Sequence, residues 1–240
     1  MNILVTGASR GLGLAICRLL LEEGHTIYAI SRTYSESFSD LEKKYIGKVF
    51  FKSVDLSQSS EINKLVFKEF VSNKIVLHGL VNNAAFAYDD LITNLELTKL
   101  EDLFRVNTFS PMFLTKYAIR NMLFHKTKGS IVHISSISTQ TGYKGLAMYA
   151  ASKSAVEAFS KNTAREWGEL GIRSNVIVAG FMETEMSKDL TSDQKTRIYN
   201  RTSLKEPTSA LSVAETVAFL LSDKASSITG QNVNVDSGTI

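Results

Sequence analysis

Short continuous apolar runs alternate along this chain with stretches whose apolar residues recur every three or four positions. Ile3, Leu4 and Val5 form the first run. After a glycine-rich turn, Leu12, Ala15, Ile16, Leu19 and Leu20 fall at the spacing of one helix face. The same alternation continues, with strands predicted at 26–30, 49–54, 79–81, 130–134, 175–178 and 232–235. Helices are predicted around 62–70 from Ile62, Leu65, Val66 and Phe70, then near 97–123, over about 149–169 and near 213–222. Uninterrupted apolar strands suit parallel strands buried on both faces. Their alternation with helices implies an α/β fold, a Rossmann-type doubly wound parallel sheet with right-handed crossovers.

No shift in composition marks a linker and no repeat is visible, so residues 1–240 are expected to form a single domain. Segment 181–205 stands apart as polar, charged, weakly periodic and longer than most connections. In a doubly wound sheet it would follow a strand C-terminus, where ligands bind. A substrate lid and an ordinary surface insertion both fit it.

Bulk composition narrows the class without naming a chemistry. With 240 residues, 44% of them hydrophobic, and only 14 Gly and 2 Pro, the chain can bury a substantial core and is not a disordered segment. No apolar run reaches the ~18–20 residues needed to cross a bilayer, so no membrane association is expected. The first residues lead straight into structure with no basic segment or cleavage site, which points to the cytoplasm. One cysteine, Cys17, excludes an internal disulfide framework and a Cys-rich zinc site, and reads as a small buried hydrophobe. No metal is expected. A formal net charge of +3 is too small to argue for nucleic-acid binding.

The turn after the first strand reads Thr6-Gly7-Ala8-Ser9-Arg10-Gly11-Leu12-Gly13. Glycines there allow a tight turn and close backbone approach, while the following helix offers free N–H groups and a partial positive charge to a phosphate. Placement between strand and amphipathic helix points to a dinucleotide. An NAD site carries a carboxylate at the end of the second strand for the ribose hydroxyls. Here that point reads Ala29-Ile30-Ser31-Arg32, with no acid before Glu36. Arg32 and Arg10 can instead form charge-assisted bonds to a 2′-phosphate, so NADP(H) is the expected cofactor.

Tyr149 and Lys153 open the long helix at an i, i+4 spacing and so share one face. An ammonium near a phenol stabilises its anion and lowers its pKa. Ser136 follows the strand at 130–134, where the strand end brings it to the same crevice, able to polarise a substrate carbonyl. Pro111 lies four residues beyond Asn107 and lacks an N–H, which leaves the Asn107 carbonyl without its i+4 donor. A water-binding carbonyl and a simple proline kink are both consistent with that.

Taken in order, these motifs resemble the short-chain dehydrogenases/reductases, in the subgroup containing 3-oxoacyl-ACP reductases. The resemblance spans the whole chain. It rests on the Thr6–Gly13 turn, Asp55, Asn82-Asn83-Ala84-Ala85, Asn107, Ser136, Tyr149, Lys153, Ala179-Gly180 with Thr184, and Ile228-Thr229-Gly230-Gln231 with Asp236. It implies a catalytic set of Asn107, Ser136, Tyr149 and Lys153. Tyr149 would protonate a carbonyl oxygen as hydride arrives, and Ser136 would hydrogen-bond the same oxygen. Lys153 would hold the nicotinamide ribose and lower the Tyr149 pKa, and Asn107 would anchor a relay water. Cofactor contacts would come from Gly7, Ser9, Arg10, Gly11, Leu12, Gly13, Ser31 and Arg32. Asp55 and Leu56 would lie toward the adenine, Asn83 and Ala84 toward the adenosine ribose, and Gly180, Met182 and Thr184 toward the carboxamide, with Tyr149 and Lys153 also touching the cofactor. The implied activity is NADPH-dependent reduction of a ketone, foremost a 3-oxoacyl thioester on an acyl carrier protein or CoA in fatty acid or polyketide biosynthesis, by a homotetramer. A sugar, polyol or steroid alcohol dehydrogenase on the same scaffold, or a silent nucleotide-binding regulator, are the alternatives.

The chain departs from the family pattern at Ala85, His133 and Ala179, where Gly, Asn and Pro are usual. None of these is a reacting group, and His133, facing away from Ser136, reads as structural. Phe86, Tyr88, Tyr143, Met148, Phe181 and Met182 can line an apolar acyl pocket or simply pack. Lys126, Lys128 and Arg173 fit a solvated basic face better than a docking site for an acidic carrier.

Overall fold

The computed structural model describes residues 1–183 and 191–240. Among them, β1 (Asn2–Thr6), β2 (Thr26–Ser31), β3 (Val49–Ser53), β4 (Gly79–Asn82), β5 (Gly129–Ser136), β6 (Ile172–Ala179) and β7 (Asn232–Val235) form one sheet. Every pair is parallel, in the order β3-β2-β1-β4-β5-β6-β7. Its helices are α1 (Gly11–Glu22), α2 (Glu36–Lys44), α3 (Leu97–Phe104), α4 (Ser110–Phe124), α5 (Ser138–Thr141), α6 (Ala147–Trp167), α7 (Ser192–Tyr199) and α8 (Ala210–Leu221). The expected doubly wound fold is the one found.

Alternation along each strand divides the core into two layers. Val5, Val81, Val132 and Ile177 face α1 and α8, packing on Ile16, Leu20, Val213 and Val217. Their neighbours Leu4, Leu80 and Ile131 face the other side, against Leu114, Ala118 and Met122 of α4 and against Val66 and Phe67. Ile16, Leu20 and Leu114 are almost fully buried, and truncating any one to Ala removes about 2–5 kcal/mol.

Three elements differ from the sequence reading. Helix α2 has no apolar stripe because only Phe38 and Leu41 are buried; its start is fixed instead by Ser35, whose hydroxyl accepts from the Phe38 N–H. The helix expected around 62–70 is a π turn, Asn63–Lys68, burying Val66 and Phe67. The helix expected near 97–123 is broken by a second π turn, Arg105–Phe109, between α3 and α4. Pro111, in the first turn of α4, has no N–H to give the Asn107 carbonyl. There the Ser110 N–H reaches back to the Arg105 carbonyl, one residue further than an α-helical bond. The interruption read from Pro111 therefore takes the form of a widened turn around Asn107.

Strand order reverses at β1, whose neighbours are β2 and β4. A crevice opens there above the C-terminal ends of the strands. Thr6 and Asn82 end the two strands that flank it.

Candidate active site

Backbone packing sets the glycine turn. Gly7 and Gly11 hold φ of +64° and +53°, a region that favours glycine. A Cβ on Gly13 would lie 2.0 Å from the Gly7 carbonyl oxygen, and one on Gly7 2.8 Å from Ala84 Cα. Asn83 secures the turn from the β4 side. Its side-chain amide donates to the Thr6 and Gly7 carbonyls at 3.0 and 3.2 Å. The Thr6 hydroxyl accepts from the N–H groups of Asn83 and Ala84 at 3.0 and 2.9 Å. The Asn83 side chain is thus occupied in shaping the cradle. Thr6, not singled out from the sequence, is its hub.

Helix α1 begins at this cradle with no side-chain cap, so its first N–H groups suit a pyrophosphate. Leu12 is buried beneath it. The Ser9 and Ser31 hydroxyls lie 3.0 Å apart, joining the turn to the end of β2. Arg10 and Arg32 are exposed on either side, and no carboxylate stands at the β2 terminus. Asp55 follows β3 and accepts from the Ser57 N–H at 2.9 Å. Leu56 is buried, and its carbonyl accepts from the Ser110 hydroxyl. Across the crevice, a Cβ on Gly180 would meet Thr208 Oγ1 at 2.2 Å and Asp236 Cα at 2.6 Å, so β6 leaves the sheet there only through glycine. Met182 follows, partly exposed. Thr184 and the rest of 184–190 in the expected lid lie outside the described residues. Of that segment, α7 begins with a Thr191–Gln194 capping box, and the Tyr199 hydroxyl donates to the Glu183 carboxylate at 2.5 Å. Cradle and uncapped helix together fit the pyrophosphate of a dinucleotide.

The four expected catalytic residues come together at the ends of β5 and α6. The Lys153 ammonium donates to the Ile134 carbonyl at 2.8 Å and lies 5.8 Å from the centre of the Tyr149 ring. The Ser136 hydroxyl hydrogen-bonds Tyr149 and accepts from the Ser138 N–H at 3.2 Å. Asn107, 1% exposed, is clamped: its amide donates to the Phe86 carbonyl at 2.9 Å and the Ser152 hydroxyl at 3.2 Å, while its oxygen accepts from the Phe86 N–H at 3.0 Å. Thr108 adds a bond from its hydroxyl to the Ser152 carbonyl at 3.0 Å. The π turn of Arg105–Phe109 and α6 are thereby fastened directly above the site.

Successive residues of β5 serve successive turns of α6. The Ile134 carbonyl receives Lys153, the Ser135 hydroxyl donates to Glu157 at 2.5 Å, and Ser136 meets Tyr149. Spacing of four along α6 puts Tyr149, Lys153 and Glu157 on one face. The sequence reading stopped at Lys153; extending the same spacing one step reaches Glu157.

Electrostatics here are set first by burial. Burial raises the Tyr149 phenol to about 12, the Asp89 carboxylate pushes the same way, and the Ser136 hydrogen bond opposes both. Burial lowers the Lys153 ammonium to about 8, against the pull of Glu157. The expected lowering of Tyr149 by Lys153 does not appear: burial is the largest influence on the phenol, and Ser136 is what opposes it. Burial thus disfavours the charged form of both groups, and the phenol keeps its proton at neutral pH.

His133 is completely buried and held at about 3 by burial and then by the Lys153 charge. One ring nitrogen lies 3.2 Å from the Asn82 amide, and its ring edges onto Phe159. It is a neutral packing residue. Tyr88 and Met148 form a small core with Leu103, Leu100 and Tyr149, and Tyr143 packs on Ile137, Val176 and Val178, whereas Phe86 stays open to solvent. Lys126 and Lys128 precede β5, about 23 Å along the strand from Ser136 at ~3.3 Å per residue. Arg173 donates to the Ser222 and Ile228 carbonyls. None of these three cations borders the crevice. Among the described residues no His/Cys/Asp/Glu cluster could hold a metal ion, and no helix is long and apolar enough to cross a membrane.

A family profile described as enoyl-(acyl carrier protein) reductase matches residues 7–239. The chain belongs to the short-chain dehydrogenase/reductase family. It is an oxidoreductase acting between CH–OH and C=O groups. Among members of this family, it is 32% identical to a 3-oxoacyl-[acyl-carrier-protein] reductase of Staphylococcus epidermidis, over 99% of this chain and 98% of that protein. It is 35% identical to the enzyme of the same description from Vibrio cholerae, over 98% and 95%. A solved 4-hydroxyisoleucine dehydrogenase complexed with NADH superposes with a TM-score of 0.93 at 27% identity, covering 99% of this chain and 98% of that one. A putative 2-deoxy-D-gluconate 3-dehydrogenase from Agrobacterium tumefaciens with bound NADP gives 0.91 at 25% identity, covering 99% and 95%. Both neighbours carry a nicotinamide dinucleotide.

Proposed function

We propose that this family member reduces a 3-oxoacyl thioester, carried by CoA or an acyl carrier protein, to the 3-hydroxy product with NADPH. The observation that carries this reading is the convergence of Tyr149, Lys153, Ser136 and Asn107 at one end of β5 and α6, with the Lys153 ammonium held on the Ile134 carbonyl at 2.8 Å and 5.8 Å from the centre of the Tyr149 ring. Carbonyl reduction needs a proton donor at the oxygen while hydride reaches the carbon, and a tyrosine flanked by a serine and a lysine provides one. Ser136 and Tyr149 both bond the substrate oxygen; Tyr149 transfers its proton to that oxygen as the carbonyl carbon accepts a hydride. Lys153 then returns a proton toward Tyr149, and Asn107 holds the water that links this pair to solvent. Bound in the cradle of Gly7, Gly11 and Gly13, the reduced dinucleotide would supply the hydride. Arg10 and Arg32 select its 2′-phosphate, with Ser9 and Ser31 on the adenosine side.

The acyl substrate is supported by the names of the bacterial relatives and by the exposed apolar side chain of Phe86, whose backbone is bonded to Asn107. A small hydroxy acid or sugar acid is the second reading, favoured by the two structural neighbours. The same proposal includes a cytoplasmic homotetramer joined through α4 and α6, for which exposed Phe109 and Phe113 provide apolar surface. A panel of ketones tested with NADPH and NADH decides among these. Fastest NADPH oxidation with acetoacetyl thioesters supports the first reading, and a preference for oxo acids of sugars or amino acids supports the second. NADPH binding without turnover on any ketone would leave a nucleotide-binding regulator.

A further inference from the structure

Glu157 is fixed with unusual completeness for a residue outside the expected catalytic set. One carboxylate oxygen accepts from the Ser135 hydroxyl at 2.5 Å and the other from the Asn232 amide of β7 at 3.0 Å. It stands one helical step beyond Lys153, as Lys153 stands one step beyond Tyr149. Ser135, its anchor, lies between the residue that receives Lys153 and the residue that meets Tyr149. A carboxylate bonded at both oxygens is oriented, so its charge has a defined place one helical turn from Lys153.

We propose that Glu157 is a positioning residue for hydride-transfer chemistry, a counter-charge one helical turn beyond Lys153 that is itself held in place by Ser135 and Asn232. This rests on the reading of Tyr149 and Lys153 as the proton-transfer pair. Among the described residues, the titratable groups that bear on Lys153 or its partner Tyr149 are these. Tyr149 and Glu157 come from α6 and His133 from β5; Asn107, from the π turn, is uncharged; Asp89, from the loop after β4, acts on Tyr149. Burial drives Lys153 toward its neutral form and Glu157 opposes it, while His133, neutral at working pH, contributes no charge. Glu157 is thus the carboxylate that opposes the burial of Lys153. Because Asn232 belongs to β7, the arrangement also ties the edge strand of the sheet to the catalytic row.

The test follows the Lys153 ammonium directly, by NMR titration of the full-length protein carrying 13Cε-labelled lysine, with Lys153→Arg identifying its signal. In Glu157→Gln the titration midpoint of Lys153 falls by about one unit, the scale expected for losing one nearby charge in a partly desolvated site. Glu157→Asp restores most of that loss. Ser135→Ala, which removes one tether and little volume, also lowers the midpoint, and it serves if Glu157→Gln does not fold. In the active enzyme the alkaline limb of the kcat profile moves down with the midpoint, while kcat at pH 6 stays within about twofold. An unchanged Lys153 midpoint in the folded variants, with activity falling equally at every pH, would overturn the proposal and leave Glu157 a structural residue. Failure of every ketone to turn over would sink the proposed function and leave the titration result standing by itself.

Discussion

The Asn107 amide donates to the Ser152 hydroxyl across 3.2 Å, bridging a π turn and the helix that carries Tyr149 and Lys153. That single bond belongs to a clamp that also takes both backbone groups of Phe86. The turn is wide because Pro111 withholds an N–H, and the widening lets a buried asparagine reach two other elements at once.

Replacing Asn107 with Ala therefore strands the Phe86 N–H and C=O. A fully buried polar group left unpaired costs about 1–3 kcal/mol; these bonds are only part-buried, so stability should fall by about 1–2 kcal/mol. Thermal unfolding would register this as a clear drop in Tm, and turnover should fall together with it. An unchanged Tm would mean that the clamp contributes nothing.

Choice of cofactor provides a second expectation. Arg32→Ala, and more so the double Arg10→Ala/Arg32→Ala variant, should weaken NADPH binding and leave NADH binding nearly unchanged. A charge-assisted hydrogen bond is worth about 1.5–3 kcal/mol, so each arginine accounts for roughly 10–100-fold in the NADPH/NADH ratio. Fluorescence titration of both nucleotides checks it. A wild-type protein that prefers NADH would refute the assignment outright.

His133 makes stability depend on pH. Its ordinary value is 6.5, and in the fold it lies near 3. Between those values the unfolded chain binds a proton that the folded chain refuses, so stability declines as pH falls from 6.5 toward 3. The contribution of this one residue is at most about 1.4 kcal/mol per pH unit. Chemical denaturation at several pH values should give a shallower acid decline for His133→Asn than for the wild type. Identical slopes would show that the imidazole titrates freely in the fold.

Much of the fold was legible because its strands are buried on both faces and so read as unbroken apolar runs. Helices α1, α6 and α8 were legible for the related reason that each buries a stripe. Helix α7 was not, since none of its residues is buried and its start is fixed by a Thr191–Gln194 capping box. Helix α2 hid behind two buried apolar residues. At the site, Tyr149, Lys153, Ser136 and Asn107 were readable from residue type, spacing and family pattern. Thr6, Ser135, Ser152 and Glu157 were not, because their importance lies in hydrogen bonds between distant segments. The expected downward shift of Tyr149 failed for a physical reason: sequence shows that a lysine is near, but not how much water the pair has lost.

The central claim is that Tyr149 is the proton donor in ketone reduction. It is tested most directly by comparing wild type and Tyr149→Phe for NADPH oxidation with an acetoacetyl thioester, with NADPH affinity measured on the same samples. A phenol acting as general acid is worth about 10²–10⁴-fold in rate. The account predicts a loss on that scale or greater, with NADPH affinity within a few-fold of wild type. Substantial turnover by Tyr149→Phe, with the nucleotide bound as before, would contradict it.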